Sequence, residues 1–282
     1  MAVRNIPSEQ ITDAVARLYV DANLNLPEDV LDAVRSCSKN ETSLIGREIL
    51  SSILENADVA AKERLPLCQD TGVAVAFIEL GQDVHVTGGG LNEAIHEGVR
   101  RAAKEGYLRR SMMADPLRRT NTGDNTPAVI HVEIVPGDRI KLTVLAKGGG
   151  AENMSRIAML TPSAGIEGGR QFVVETVRLA GANPCPPVIV GVGIGGTFDL
   201  APLLAKKSLL RKLGERHPDP FYANLEIELL DEINRLGIGP QGLGGSCTAL
   251  DVLVEVSACH IASLPVAVIF QCHSAKHKSA VI

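Results

Sequence analysis

Three cysteines of this chain sit where a backbone can wrap around a ligand. Cys68 lies in Pro66-Leu67-Cys68-Gln69-Asp70-Thr71-Gly72, between an expected helix and an expected strand. Cys185 lies in Asn183-Pro184-Cys185-Pro186-Pro187, just before a strand, and Cys272 in Phe270-Gln271-Cys272-His273, just after one. Loops carried by a rigid scaffold are where ligands usually sit, and prolines stiffen them. Three thiolates suit an iron–sulfur cluster with one iron left open, because clusters that only carry electrons normally take four cysteines. The open position makes such an iron a Lewis acid. Two other readings stand beside it. One is zinc, although no CxxC pair supports it. The other is a set of buried thiols acting as small hydrophobes. Cys37, inside an expected helix, and Cys247 and Cys259, near strand ends, have no such frame. A long chain in a reducing compartment is not expected to rely on disulfides.

Other residue types point to anion chemistry. Asp70 stands two positions after Cys68, and a carboxylate beside a metal cluster can move protons to or from a substrate oxygen. Arg109 and Arg110 are candidate carboxylate clamps, since guanidinium suits planar bidentate recognition; the plainer reading is a solvated basic end. His260 is either a polar pocket residue or a satisfied core histidine. Glycine runs occur at Gly88–Gly90, at Gly148–Gly150 and in PQGLGG (Gly242, Gly244, Gly245). Successive amides in such runs can form an anion nest, so the expectation is a backbone-lined carboxylate site; simple turn geometry is the alternative. Gly191-Val192-Gly193-Ile194-Gly195-Gly196 matches GxGxxG in a strand-to-helix context. No second parallel strand ending in an acid follows at the right distance, because ERHPDPFYANLEIELLDEIN reads as a turn and a helix. Close packing beside Cys185 is therefore expected of these glycines.

The elements that must position these residues follow from periodicity. Ile11, Ala14, Val15, Leu18, Tyr19 and Ala22 share a helical face, with Ser8 as the expected N-cap. Pro27 opens a second helix and Leu44, Ile45, Ile49, Ile53 and Leu54 mark a third. Val73–Leu80 reads as a buried strand, followed by a helix through Leu91, Ala94, Ile95, Val99 and Ala102. AVIHVEIV and RIKLTVLA alternate apolar and polar residues around Pro136-Gly137-Asp138, which predicts an antiparallel hairpin with His131 facing solvent. A helix over Gly165–Ala180, the strand PPVIVGV, helices at Asp199–Leu213 and Phe221–Leu236, and apolar segments at Ala249–Val256 and Pro265–Phe270 complete the chain. The fold class expected is α+β. A helical N-terminal part, about residues 1–62, is followed by mixed, largely antiparallel sheets surrounded by helices, in a single domain over residues 1–282.

Composition narrows the function classes. Only 3% of the 282 residues are aromatic, with no Trp, and the net charge is −5. Base-stacking platforms and a phosphate-backbone footprint are disfavoured, so no nucleic-acid partner is expected. The N-terminus turns amphipathic at once, and the longest apolar run, LPVAVIF, is strand-sized. A cytoplasmic protein without a membrane span is expected.

The segments CQDTG, NTGDNTPA, KGGGAENMS, PPVIVGVGIGGTFDLAPLLAKKSLL, GPQGLGGSCTALDV and HIASLPVAVIFQCHSAKH resemble the α subunit of two-subunit class I fumarate hydratases, a family that includes the tartrate dehydratase α subunit. The resemblance runs from about residue 65 to the end. It implies a 4Fe-4S cluster on Cys68, Cys185 and Cys272. It also implies that Gln69, Asp70, Arg109, Gly149 and Gly150 approach the substrate and that His260 is an active-site histidine. Cys247 departs from the pattern, standing where a threonine or similar small residue is expected. The chain ends ten residues after Cys272, whereas single-chain relatives continue into a second domain carrying the base and further clamps. The resemblance thus implies a separate β subunit, in a hetero-oligomer such as α2β2. The reaction expected is reversible hydration of fumarate to malate. Tartrate dehydration is the alternative within the family, and a metal-binding or assembly subunit without catalysis is the alternative outside it.

Overall fold

The computed structural model describes residues 3–282. In chain order the elements are β1 (Arg4–Pro7), α1 (Ser8–Leu24), α2 (Glu28–Asn40), α3 (Leu44–Glu63), β2 (Val73–Gly81), β3 (Val84–Thr87), α4 (Leu91–Glu105), β4 (Met113–Asp115), β5 (Thr120–Asn121), β6 (Val129–Val135) and β7 (Ile140–Lys147). There follow α5 (Gly149–Glu152), β8 (Arg156–Leu160), α6 (Gly165–Ala180), β9 (Val188–Gly195), α7 (Leu200–Ser208), α8 (Pro220–Arg235), β10 (Ala249–Ser257), β11 (Leu264–Gln271) and β12 (His277–Val281). The fold is α+β, as the periodicities predict. The chain divides into two compact units. The first takes the stretch up to Leu26, Asn56–Gly149 and Lys276–Ile282, and the second takes Pro27–Glu55 and Gly150–Ala275.

The first unit is built on a four-stranded sheet in the order β12-β7-β2-β6. One face of β2, through Ala74, Ala76 and Ile78, packs on the apolar faces of α1 and α4, where Val15, Tyr19, Ile95 and Val99 are buried. The N-cap of α1 is Pro7, which offers no side-chain hydrogen bond, so Ser8 is the first helical residue and not the cap. The expected hairpin does not form. β6 and β7 each pair with β2, β6 in parallel and β7 antiparallel, and β2 lies between them. The physical reason is that VAVAFIELG is apolar on both faces and belongs in the middle of a sheet. The weaker strand β6 is left at the edge, with Val132 47% and Ile134 70% exposed. His131 sits opposite Phe77 and stacks on it with ring centroids 5.0 Å apart, so it is not merely a solvent-facing residue.

The second unit has a sheet in the order β10-β9-β11-β8, with β10 parallel and β11 antiparallel to β9. The side chains of β9 alternate between two helical layers. Val190 and Val192 pack with Val173 and Val177 of α6 and Leu225 and Leu229 of α8. Gly191 and Gly193 face α7 on the other side. A Cβ at Gly193 would lie 2.0 Å from the carbonyl oxygen of Ala201, and one at Gly191 would lie 2.3 Å from that of Ala205. The GxGxxG match is therefore a helix–strand packing seam, in which the backbone of α7 rests on that of β9.

The second unit also holds a Cys37–Cys247 disulfide, Cα atoms 5.9 Å apart, closing a separation of 210 residues. This corrects the expectation of no disulfide, which rested on compartment and chain length, neither of which says which cysteines the fold brings together. Two outcomes follow from this packing. Gly193→Val should lower stability by about 3 kcal/mol, read from urea unfolding, while Gly90→Ala, where a Cβ meets nothing within 4 Å, changes it little. Reduction, or Cys37→Ser, should lower unfolding stability by roughly 2–4 kcal/mol; equal urea midpoints with and without dithiol reductant would rule the bond out.

Candidate functional site

In the first unit, one end of the sheet gathers the residues of interest. The loop before β2, the loop after β7 and the approach to β12 all meet there, because Val73 pairs with Lys147 and His277 with Leu145. The segment leading in is pinned on both polar groups of Leu67. Its N–H donates to the carbonyl of Asn23 at 2.8 Å and its carbonyl accepts from Asn56 Nδ2 at 2.9 Å. Cys68, half-buried, then accepts the Asp70 N–H on its sulfur at 3.4 Å. Asp70 turns its carboxylate back onto the chain. Oδ1 accepts from the Gly72 amide at 3.0 Å and Oδ2 from the Gly149 amide at 2.7 Å. Its main-chain carbonyl accepts from Lys276 Nζ. Tyr19 Oη, wholly buried, donates to the Gly72 carbonyl at 2.8 Å. Burial, and then the Asp70 carboxylate, push the Tyr19 phenol well above its ordinary range, so it stays a neutral donor.

Arg109 is held by its backbone. Its carbonyl accepts from Thr71 Oγ1 at 3.3 Å and from Asn125 Nδ2 at 2.9 Å, and Asn125 Oδ1 takes the Ser111 amide at 2.6 Å. Asn125 is buried and adopts a left-handed φ of 65°. The Arg109 guanidinium is exposed and has no partner among the described residues. Gln69 is exposed as well. The structure thus draws Cys68, Asp70 and Gly149 together, fixes the backbone of Arg109 through Thr71, and leaves the side chains of Gln69 and Arg109 open.

In the second unit, Cys185 and Cys272 lie at the same end of the sheet, since Cys185 precedes β9, Cys272 follows β11, and the antiparallel register sets Gln271 opposite Ile189. Cys185 is exposed, has a left-handed φ of 57°, and is followed by the cis bond Pro186–Pro187. His273 Nδ1 lies 3.1 Å from the Cys185 carbonyl oxygen and 3.3 Å from Gln241 Nε2, while the Gln241 amide donates to the Pro186 carbonyl at 2.8 Å. Cys272, half-buried, has its sulfur 3.1 Å from Ser274 Oγ. The PQGLGG segment that braces this end is itself tied down by Glu41, whose carboxylate accepts the amides of Ser43, Ser246 and Cys247, each at 2.9 Å. Burial works against the charge on Glu41, but these amides and the Ser246 hydroxyl outweigh it and hold the carboxyl below its usual range.

His260 is not brought to this end. It lies in the connection between β10 and β11, beyond Ser257 opposite Gly195, at the far end of the sheet. The eight residues of β11 separate it from Cys272, roughly 26 Å of strand. It is exposed, its Nδ1 accepts the Ala262 amide at 3.1 Å, and it borders an apolar cavity of about 400 Å³ with Phe221 and Ile261. Gly150 opens toward Asn183, whose carbonyl oxygen would be 3.7 Å from an added Cβ.

Sequence reasoning passed over Asn125, Glu41, Tyr19 and Lys276. Asn125 and Lys276 fall inside NTGDNTPA and CHSAKH, so the motif match was a signal for both. Nothing local marks Glu41 as an anchor, since apart from Ser43 the amides it holds, those of Ser246 and Cys247, lie more than 200 residues on. The thiols fit metal ligation: the Cys68 sulfur accepts a backbone amide, and the Cys272 sulfur lies within hydrogen-bond distance of a hydroxyl that can donate to a thiolate. The sites also have a chain of relatives. The family model for fumarate hydratase (Fumerase) matches residues 12–281. A Methanocaldococcus jannaschii protein named "Putative L(+)-tartrate dehydratase subunit alpha" is 48% identical over 270 residues, covering 93% of this chain and 94% of that one. An L(+)-tartrate dehydratase subunit alpha of Escherichia coli O157:H7 is 36% identical over 267 residues, covering 93% and 88%. This chain belongs to the fumarate hydratase (Fumerase) family.

Proposed function

We propose that this chain is the α subunit of an iron–sulfur hydro-lyase that removes water from L-tartrate. The observation that carries this reading is its 48% and 36% identity, over 93% of the chain, with proteins named as tartrate dehydratase α subunits. Fumarate is the second reading, favoured by the description of the family model. The cluster ligands in this reading are Cys68, Cys185 and Cys272. A 4Fe-4S cluster on three thiolates supplies, when bound, one open iron that acts as a Lewis acid toward a substrate oxygen.

The chain's own residues have defined tasks. Each carboxylate oxygen of Asp70 already accepts one backbone amide. Each keeps a second lone pair, so Asp70 can take up or release a proton at Oδ1 or Oδ2 without losing its orientation. Arg109 offers a guanidinium with no partner among the described residues for bidentate capture of a substrate carboxylate. Gln69 can donate to or accept from substrate oxygens. Gly149 acts indirectly, because its amide holds Asp70. No residue of the described chain is assigned as the base for the carbon-bound proton, or as the clamp for the second carboxylate. A β subunit supplies both, in keeping with relatives named as subunit alpha. His260 has no task in this scheme.

Three measurements check the proposal. Ser in place of Cys68, Cys185 or Cys272 should abolish cluster iron and sulfide in protein reconstituted without oxygen, while Cys37→Ser retains both; a Cys185 variant with a full cluster would sink the ligand assignment. The chain alone, reconstituted, should turn over nothing until the β subunit is added, since losing half of a catalytic set costs orders of magnitude in rate. Full activity before that addition would refute the division of labour. With both subunits present, a site that hydrogen-bonds the second hydroxyl of tartrate should prefer it over malate by about 10⁴ in kcat/KM; the reverse preference would return the assignment to fumarate.

A further inference from the structure

Lys276 is the residue before β12, and its backbone is fixed by the Ala146 amide, which donates to its carbonyl at 2.8 Å. The residue is only 2% exposed. Lysines normally keep the ammonium in water while their stems lie along apolar surface. A wholly buried ammonium carries a large desolvation cost, ordinarily offset by a carboxylate. Here there is none. Among the described residues the one partner of Nζ is the main-chain carbonyl of Asp70, a neutral acceptor. The Asp70 carboxylate points elsewhere, to the amides of Gly72 and Gly149. An ammonium has three donors, so most of its hydrogen-bonding capacity is unspent. A neutral donor would satisfy one carbonyl at far lower cost, and the charge therefore calls for a reason.

The reason lies in what the turn carries. Cys68, Gln69 and Asp70 are consecutive, Cys68 accepts the Asp70 amide, and Tyr19, held neutral, braces the far side of the turn at Gly72. The groups assembled there in the reading proposed above are anionic: a thiolate, a carboxylate and a dicarboxylate substrate. We infer that Lys276 is a positioning residue: bonded to the Asp70 carbonyl, its buried ammonium fixes the Cys68–Asp70 turn and supplies the positive charge that allows negative groups to gather on it. It acts through Asp70 and touches no reacting atom. This inference rests on the hydro-lyase reading for the identity of the anions, but not for the contact itself.

The test compares Lys276→Met, Lys276→Gln and Lys276→Arg in the full chain. In cluster-free protein, amide exchange at Gly72 and Gly149 should be about tenfold faster in the Met and Gln variants than in the wild type. The β9 and β10 amides of the other unit serve as the internal control for folding, and Arg should restore most of the protection. After reconstitution with the β subunit, Met and Gln should retain less iron and sulfide and should lose at least about tenfold in kcat with a smaller change in KM. A Gln variant that matches the wild type in exchange and in iron content would overturn the inference, because Gln offers an N–H donor on a side chain one atom shorter and carries no charge. That comparison stands even if the Met variant fails to fold. Wild-type protein that takes up no cluster and turns over no dicarboxylate would sink the hydro-lyase reading instead, while the exchange data still decide the role of Lys276.

Discussion

Carboxylates binding backbone amides organise both units. In the first, Asp70 takes the amides of Gly72 and Gly149 and so ties the loop before β2 to the loop after β7. In the second, Glu41 takes those of Ser43, Ser246 and Cys247 and ties the end of α2 to the approach to β10. Hydrogen bonds to a charged acceptor contribute about 1.5–3 kcal/mol each, more than a neutral pair. Both anchors fall on glycine-rich segments, where bare backbone can come close. A Cβ at Gly245 would lie 2.7 Å from Glu41 Oε1, and one at Gly148 would lie 3.2 Å from Asp70 Oδ2. Anions of the chain itself thus take amides at or beside these two runs, Asp70 that of Gly149 and Glu41 those of Ser246 and Cys247.

That substitution changes what the glycine runs mean for the site. Gly149 was expected to meet a substrate carboxylate, yet its amide is committed to Asp70. In the proposed reading its contribution is one step removed, since it orients the carboxylate assigned to proton transfer. The Cys68 turn is then held from several directions, by Gly149 at the Asp70 carboxylate, by Lys276 at the Asp70 carbonyl and by Tyr19 at the Gly72 carbonyl. A turn fixed at so many backbone atoms presents its thiol and carboxylate with little freedom, which is what a preorganised site requires.

How much was legible in the sequence depended on the range of the interaction. The helix over Gly165–Ala180 and the strand from Val188 follow from short periodicities and appear with nearly the expected bounds. The failures are non-local. The turn Pro136-Gly137-Asp138 signals a reversal of the chain, but not which strand fills the gap, and β2 fills it. The Cys37–Cys247 bond and the Glu41 anchor span more than 200 residues, a range at which spacing carries no signal. That Cys68, Cys185 and Cys272 lie in loops was legible because proline and element ends mark a loop locally. The end of the sheet on which His260 falls was not, since that depends on strand direction. Cys185 and Cys272 share an end because β9 and β11 run antiparallel, and the same antiparallel course carries His260 to the other.

Two arginines in the first unit show how structure separates residues that look alike in sequence. Arg100 lies on α4, and its guanidinium reaches Glu93 at 3.0 Å, Glu97 at 2.7 Å and Asp124 at 3.0 Å. Those carboxylates raise its already high pKa, with the Glu97 hydrogen bond the largest cause. Its charge is spent on bracing α4 against the NTGDNTPA loop. Arg109, beyond the end of the same helix, has no side-chain partner among the described residues, and it is its backbone that Thr71 and Asn125 hold in place. A fixed backbone under an unpartnered guanidinium is the arrangement expected of a clamp waiting for a carboxylate from outside. The same Asp124–Asn125 pair serves both arginines, neutralising one by its carboxylate and presenting the other by its amide.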